Sequence, residues 1–294
     1  MEIKKVGVIG LGIMGSGIAQ VTAEAGYETV GQEVNPEYLK KGMGIIEGFL
    51  DRGIAKGKYD KSYKDGVMRN LKGTIDLNDL KDCDLIIEAV SENVDLKKEL
   101  FRKLDGLCLK KTIFATNTSS FSVSDLASCT TRPEKFVGLH FFNPVQVMKL
   151  VEVVQSFVVE KENIEAVSDY VKTIKKEPIL AKDYPGFIVN ILLTPYFVEA
   201  VRLWEQGIAG IEDIDKAMKL GTGYPMGPFA LLDMAGLDTM VNAFNHTYNV
   251  YKDKKYAPPL IMEKMVQLGY LGRKTGKGFY DYSVNPPTPI KIYT

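Results

Sequence analysis

Over the first two-thirds of the chain, short apolar runs rich in β-branched residues alternate with stretches of helical periodicity. The strand-like runs are Val6–Ile9, a weaker Thr29–Glu33, Leu85–Val90, Thr112–Thr116, Phe136–Phe141, Leu150–Val154 and Pro178–Ala181. Between the second and third, Leu39, Met43, Ile46, Leu50 and Ile54 recur at steps of four and three, which places them on one helical face. This alternation predicts a doubly wound, mostly parallel α/β sheet carrying a helical-hairpin insertion. Gly31–Gln32 is polar and flexible for the end of a buried strand.

After Asp183 the pattern changes. Pro185–Gly186 punctuates the chain, and helical segments then follow one another without strand runs. From Gly186 to Gln206 apolar residues occur almost all round, interrupted by Asn190, Thr194, Pro195, Glu199 and Arg202. Charge, amide and proline inside the segment argue against a membrane span and for a helix buried in a domain or dimer, closed by Gly207. The expected division is residues 1–185, an α/β domain of doubly wound, Rossmann type, and 186–294, an all-α domain.

The first strand runs into Gly10–Leu11–Gly12–Ile13–Met14–Gly15 and then a helix. In such a turn Gly10 permits the tight bend and Gly12 lets backbone approach a pyrophosphate, while Gly15 lets helix pack on strand. Free N–H groups at the helix start face the anion. A lone GxGxxG is weak, but here strand and helix flank it and an acid, Glu33, closes the second strand. A carboxylate there accepts hydrogen bonds from ribose hydroxyls and repels a 2′-phosphate, so the cofactor read from the residues is NAD rather than NADP.

Chemistry gathers beyond the carboxyl ends of strands in such sheets. Asn117–Thr118–Ser119–Ser120 follows one strand, with helix capping as the bland alternative. His140 closes another, and Glu152 lies among valines in the next run. A carboxylate is costly to bury unpaired, so Glu152 needs a donor, and His140 is the natural one. The pair would set the imidazole tautomer and stabilise the imidazolium formed in turnover. His246, among Asn245, Thr247 and Tyr248, reads as a surface or supporting residue.

Charge and composition narrow the partners. Lys plus Arg and Asp plus Glu both number 37, so the basic excess of a nucleic-acid or membrane-surface binder is missing. The exception is local: Lys40 to Lys72 holds nine Lys or Arg against four Asp or Glu. Three cysteines, at 83, 108 and 129, suit a reducing compartment, and no signal peptide is read before the first strand, so a cytoplasmic location is expected. With two histidines, an imidazole-rich metal site is disfavoured and no metal is called for.

Taken together, Gly10–Gly15, Asn117–Ser120, His140–Pro144 with Val147–Glu152, Pro185–Asn190, Gly223–Pro228 and Lys274–Tyr280 resemble the L-3-hydroxyacyl-CoA dehydrogenase family end to end. The short monofunctional members, including 3-hydroxybutyryl-CoA dehydrogenases, are most alike. The resemblance implies that His140 is the general base paired with Glu152, and that Ser119 and Asn190 contact the substrate oxygen. The spacing agrees, since His140 stands 21 residues after Ser119 and 50 before Asn190. It further implies that Glu92, Lys97, Asn117, Asn143 and Lys274 lie along NAD together with the Gly10–Gly15 turn. Without it, Lys97 and Lys274 read as solvated surface lysines. The family sets the nucleotide end of coenzyme A against the basic hairpin, with Lys56 at a matching position, although a small polar residue often stands where Phe49 is. The expected partners are an acyl-CoA substrate, acetoacetyl-CoA or 3-hydroxybutyryl-CoA, and a second copy of the chain as a homodimer.

Two rivals stand beside this reading. One is a dehydrogenase of a free hydroxy or sugar acid on the same scaffold, because fold does not settle function. The other is a catalytically silent NAD-binding protein, against which the joint presence of Ser119, His140, Glu152 and Asn190 speaks.

Overall fold

The computed structural model describes residues 2–292. Contacts divide the chain into two compact units, one ending at Phe187 and the other starting at Ile188.

In the first unit, β1 (Lys5–Ile9) leads through the glycine turn to α1 (Ile13–Glu24), and β2 (Glu28–Gln32) follows. The inserted hairpin is α2 (Pro36–Ala55) and α3 (Lys61–Arg69), before β3 (Leu71–Thr74). Asn35 and Asp60 start these helices by accepting the N–H groups of Tyr38 and Tyr63. Next come β4 (Leu85–Glu88), α4 (Val94–Leu107), β5 (Ile113–Thr116), α5 (Val123–Ala127) and β6 (Phe136–Phe141). The unit closes with β7 (Leu150–Gln155), α6 (Lys161–Thr173) and β8 (Glu177–Lys182).

Eight strands form one sheet in the order β3-β2-β1-β4-β5-β6-β7-β8. All pairs from β3 to β6 are parallel, whereas β7 runs antiparallel to β6 and β8 parallel to β7. The reversal follows from the connection. A turn joins β6 to β7, while parallel neighbours need a crossover such as α6. Val6, Val8, Leu85, Ile87, Ile113 and Ala115 pack into one core with Ile18 of α1 and Ile46 of α2. Ile9, Ile86, Phe114 and Phe136 alternate to the other face, against Phe101 and Leu104 of α4. Both faces being covered explains the unbroken apolar runs.

The periodicity does not reveal β3. Of its four residues only Leu71 and Thr74 are buried, so it shows neither a run nor an alternation long enough to register. It pairs with β2 from Thr29↔Leu71 to Gln32↔Thr74. The polar end of β2 also has its reason. A Cβ at Gly31 would lie 2.9 Å from Leu11 Cδ1, so glycine makes room for Leu11. Gln32 turns its amide inward, donating to the carbonyl of Glu33 at 2.8 Å.

The second unit comprises α7 (Val189–Glu205), α8 (Ile211–Thr222), α9 (Pro228–Ala235), α10 (Leu237–Tyr251) and α11 (Leu260–Gln267). They enclose Phe197, Val201, Phe229, Leu232, Phe244, Met262 and Phe279. Gly207 follows α7 with φ +70° and donates to the carbonyl of Trp204, the left-handed cap expected of it. The all-α expectation needs one correction: β9 (Tyr280–Asp281) and β10 (Thr288–Pro289) form a small antiparallel ladder. Buried Asp233 of α9 holds this tail, accepting from the N–H groups of Phe279 and Tyr280 at 2.8 and 2.9 Å and from the Tyr282 hydroxyl at 3.1 Å. Burial pushes its carboxyl above the usual range. Among the described residues no helix is long and apolar enough to cross a membrane.

Candidate active site

The glycine turn connects the carboxyl end of β1 to α1. Gly10 has φ +84°, a Cβ at Gly15 would sit 1.7 Å from the Gly10 carbonyl, and a Cβ at Gly12 would meet nothing within 4 Å. So Gly10 and Gly15 are demanded by the fold, whereas Gly12 leaves backbone open to an approaching group. The first turn of α1 has neither an acidic residue nor a side-chain cap, and its N–H groups suit an anion. Ile13 and Met14 begin the helix, with Ile13 exposed, while the Leu11 side chain is buried in the core.

Glu33 closes over this turn. Its Oε1 accepts the N–H of Leu11 at 2.6 Å and its Oε2 that of Val34 at 3.1 Å. A cavity of about 570 Å³ opens here, lined among others by Gly10, Gly12, Glu33, Ala89 and Leu100. Open glycine backbone, a bare helix start and a carboxylate beside this cavity fit a dinucleotide with free ribose hydroxyls.

At the carboxyl ends of β4 and β5 the structure shows what periodicity missed. Glu88 is fully buried and pairs with Lys97 Nζ at 2.6 Å, while it accepts from Val90 N and Thr116 Oγ1, both at 2.7 Å. Lys97 is therefore no surface lysine: its side chain is 1% exposed and also meets Glu92 Oε2 at 3.1 Å. A charge at the end of the apolar run Leu85–Ile87 was the available signal, since a carboxylate there must find a partner. Glu92 in turn accepts from the Thr118 hydroxyl and, at 3.2 Å, from Ser119 N.

This ties Glu92 to the serine loop, and Asn117 ties the loop to the next strand. Asn117 Oδ1 accepts the N–H of Phe141 at 2.9 Å, which sets Asn117–Ser120 beside the end of β6. Capping is divided among neighbours: Thr118 Oγ1 accepts from Ser120 N and Phe121 N, and Ser122 caps α5. The Ser119 hydroxyl meets that of Ser120 at 3.1 Å.

His140 and Glu152 face one another across β6 and β7. Nδ1 lies 2.6 Å from Glu152 Oε2, and both residues are buried. The rings of Phe142 and Phe187 stand 4.6 and 5.4 Å from the imidazole. A carboxylate on Nδ1 holds that nitrogen as the N–H and leaves Nε2 as the acceptor, the tautomer of a general base. Apolar rings around the pair strengthen its hydrogen bond.

Asn143 is exposed in the turn after β6, and Lys56 is exposed at the end of α2, where Arg52 lies over the Phe49 ring at 5.6 Å. In the second unit, Asn190 is half-buried in the first turn of α7. Lys274 is exposed and grips both oxygens of Asp238, at 2.6 and 2.7 Å. His246 is half-buried in α10.

Known proteins are similar to this chain over nearly all of its length. Residues 5–184 match the family model for the 3-hydroxyacyl-CoA dehydrogenase NAD binding domain, and residues 186–282 that for the 3-hydroxyacyl-CoA dehydrogenase C-terminal domain. The chain is 43% identical over 279 residues to 3-hydroxybutyryl-CoA dehydrogenase of Clostridioides difficile, covering 95% of this chain and 99% of that protein. It is 46% identical over 288 residues to the mitochondrial hydroxyacyl-coenzyme A dehydrogenase of Sus scrofa, covering 95% and 91%. The crystal structure of (S)-3-hydroxybutyryl-CoA dehydrogenase from Ralstonia eutropha is similar with a TM-score of 0.92 at 42% identity, covering 96% of this chain and 100% of that one.

Proposed function

This chain belongs to the 3-hydroxyacyl-CoA dehydrogenase family and is an NAD-dependent 3-hydroxyacyl-CoA dehydrogenase, and we propose that it works on short (S)-3-hydroxyacyl-CoA and 3-ketoacyl-CoA thioesters with His140 as its acid–base group. The observation that carries the mechanism is the buried 2.6 Å contact between His140 Nδ1 and Glu152.

With Nδ1 held by the carboxylate, Nε2 takes the proton of the substrate 3-hydroxyl as the C3–H bond breaks. The Gly10–Gly15 turn and Glu33 would hold NAD, which would supply the hydride acceptor when bound. In reverse, the imidazolium returns the proton to the 3-keto oxygen. Glu152 stabilises that imidazolium and does not itself exchange protons with substrate. Such an acid–base group contributes on the order of 10²–10⁴ in rate. Ser119 and, by its motif position, Asn190 donate to the oxygen on which charge develops. Glu92, Lys97, Asn117, Asn143 and Lys274 serve the cofactor. Lys56 and its neighbours attract the phosphates of coenzyme A, which the exposed basic hairpin supports.

The short acyl range rests on relatives named 3-hydroxybutyryl-CoA dehydrogenase. A homodimer is the proposed assembly, supported by apolar surface on the second unit: Leu192 is 67% and Leu220 86% exposed. Three free thiols support a cytoplasmic setting. The test follows NADH consumption with acetoacetyl-CoA, free acetoacetate and a sugar acid, then with ketoacyl-CoA of increasing length. Turnover of acetoacetyl-CoA, falling with chain length, is expected. Activity on acetoacetate alone would overturn the thioester assignment, and a maximum at long chains the short range.

A further inference from the structure

Lys176 is 8% exposed, yet its ammonium makes its hydrogen bonds to backbone carbonyls, those of Val145 and, at 2.7 Å, Met148. Burying an ammonium on neutral acceptors is costly, and burial holds this one below the usual lysine pKa. What it secures is the turn of residues 142–149 between β6 and β7. Within that turn Val147 N and Met148 N both donate to the Pro144 carbonyl. The carbonyls of Val145 and Met148 are satisfied from beneath by Lys176.

A second arm reaches the same turn from the cofactor helix. Gln146 Nε2 donates to Gln20 Oε1 at 2.9 Å, and Gln20 Nε2 donates to Glu24 Oε1 at 2.8 Å, so a polar ladder descends α1. A Cβ at Gly17 would lie 2.8 Å from Val145 Cβ, so only glycine lets the turn seat so closely on α1. The charge of Glu24 acts favourably on Lys176. The turn that starts beside Asn143 is thus keyed onto the helix whose first N–H groups await the pyrophosphate.

We propose that Lys176 is a positioning residue for hydride transfer, clamping the 142–149 turn onto α1 so that Asn143 and His140 keep their places relative to the cofactor. The part through Asn143 rests on the reading of Asn143 as a cofactor contact. A displacement of an ångström at such groups can cost as much as about 10²-fold in rate, and partial loosening of one turn should cost roughly tenfold.

The experiment compares Lys176→Met, Asn143→Ala and the double variant in the full chain, reading NADH affinity, kcat and thermal midpoint. Lys176→Met should weaken NADH and lower kcat by roughly tenfold together, and should change NADH affinity by less than about twofold in the Asn143→Ala background, because coupled residues are not additive. A lower thermal midpoint with both constants kept would overturn the proposal, as would fully additive losses. If Asn143→Ala leaves NADH affinity unaltered, the Asn143 reading fails. A fall in kcat for Lys176→Met then supports positioning through His140, and no fall sinks it. Should Lys176→Met not fold, Gln146→Leu removes the second arm: the same joint loss supports the clamp, and unaltered constants overturn it.

Discussion

The imidazole of His140 and the carboxylate of Glu152 meet because the antiparallel register of β6 and β7 makes them direct cross-strand partners, 2.6 Å apart. A one-residue slip would send one of them to the opposite face of the sheet. His140→Ala should therefore lower kcat by about 100-fold or more, with NADH affinity nearly intact by fluorescence titration. A loss below about fivefold would remove His140 from the acid–base role.

Glu33 holds Leu11 N and Val34 N, and it lines the cavity beside the glycine turn. Glu33→Ala should weaken NADH more than NADPH and narrow the preference roughly tenfold, the worth of a charge-assisted hydrogen bond. Kinetics with both cofactors checks this; an unaltered preference would mean that Glu33 does not reach the ribose.

Glu88 and Lys97 form a buried pair whose halves depend on each other. Glu88→Gln should cost about 3–5 kcal/mol in urea unfolding, because it strips a buried ammonium of its nearest counter-charge. Adding Lys97→Met should recover part of that loss. If the double variant were the less stable, the pair would not be coupled in this way.

Asp233 tests pH dependence. Burial raises its carboxyl pKa in the folded chain above that of an ordinary aspartate. The native state then binds the proton more tightly than the unfolded chain. Its contribution is full below the unfolded value and is lost as pH rises through the folded one. Asp233→Asn should remove that dependence, seen as a stability curve that is flatter against pH in the variant than in the parent across the mildly acidic range. The variant should also lose about 1–3 kcal/mol overall, since an amide cannot accept from both Phe279 and Tyr280 as the carboxylate does. An unchanged slope would place the raised group elsewhere.

Much of the first unit is legible because its signals are local. Val6–Ile9, the glycine turn and α1 follow one another within a few residues, and each residue type has one steric or hydrogen-bonding reason to be there. β3 escaped because an edge strand of four residues, half of it facing out, carries no period. The β9–β10 ladder escaped for the same cause, being two residues a side. Lys97 shows a different limit. On its helix it looks like any other lysine, and only the arrival of Glu88 from β4 makes it a buried charge.

Local spacing and residue chemistry by themselves determined the strand–turn–helix unit, the change to helices near residue 185, and His140, Glu152 and Glu33 as candidates for chemistry. Tertiary structure alone decided which charges were buried and what met them: Lys97 on Glu88, Lys176 on the carbonyls of the 142–149 turn, and Asp233 on the N–H groups of the tail. The physical reason is that periodicity records how one segment meets solvent, whereas the cost of burying a charge is met by atoms far along the chain, whose approach exists only once the strands have paired.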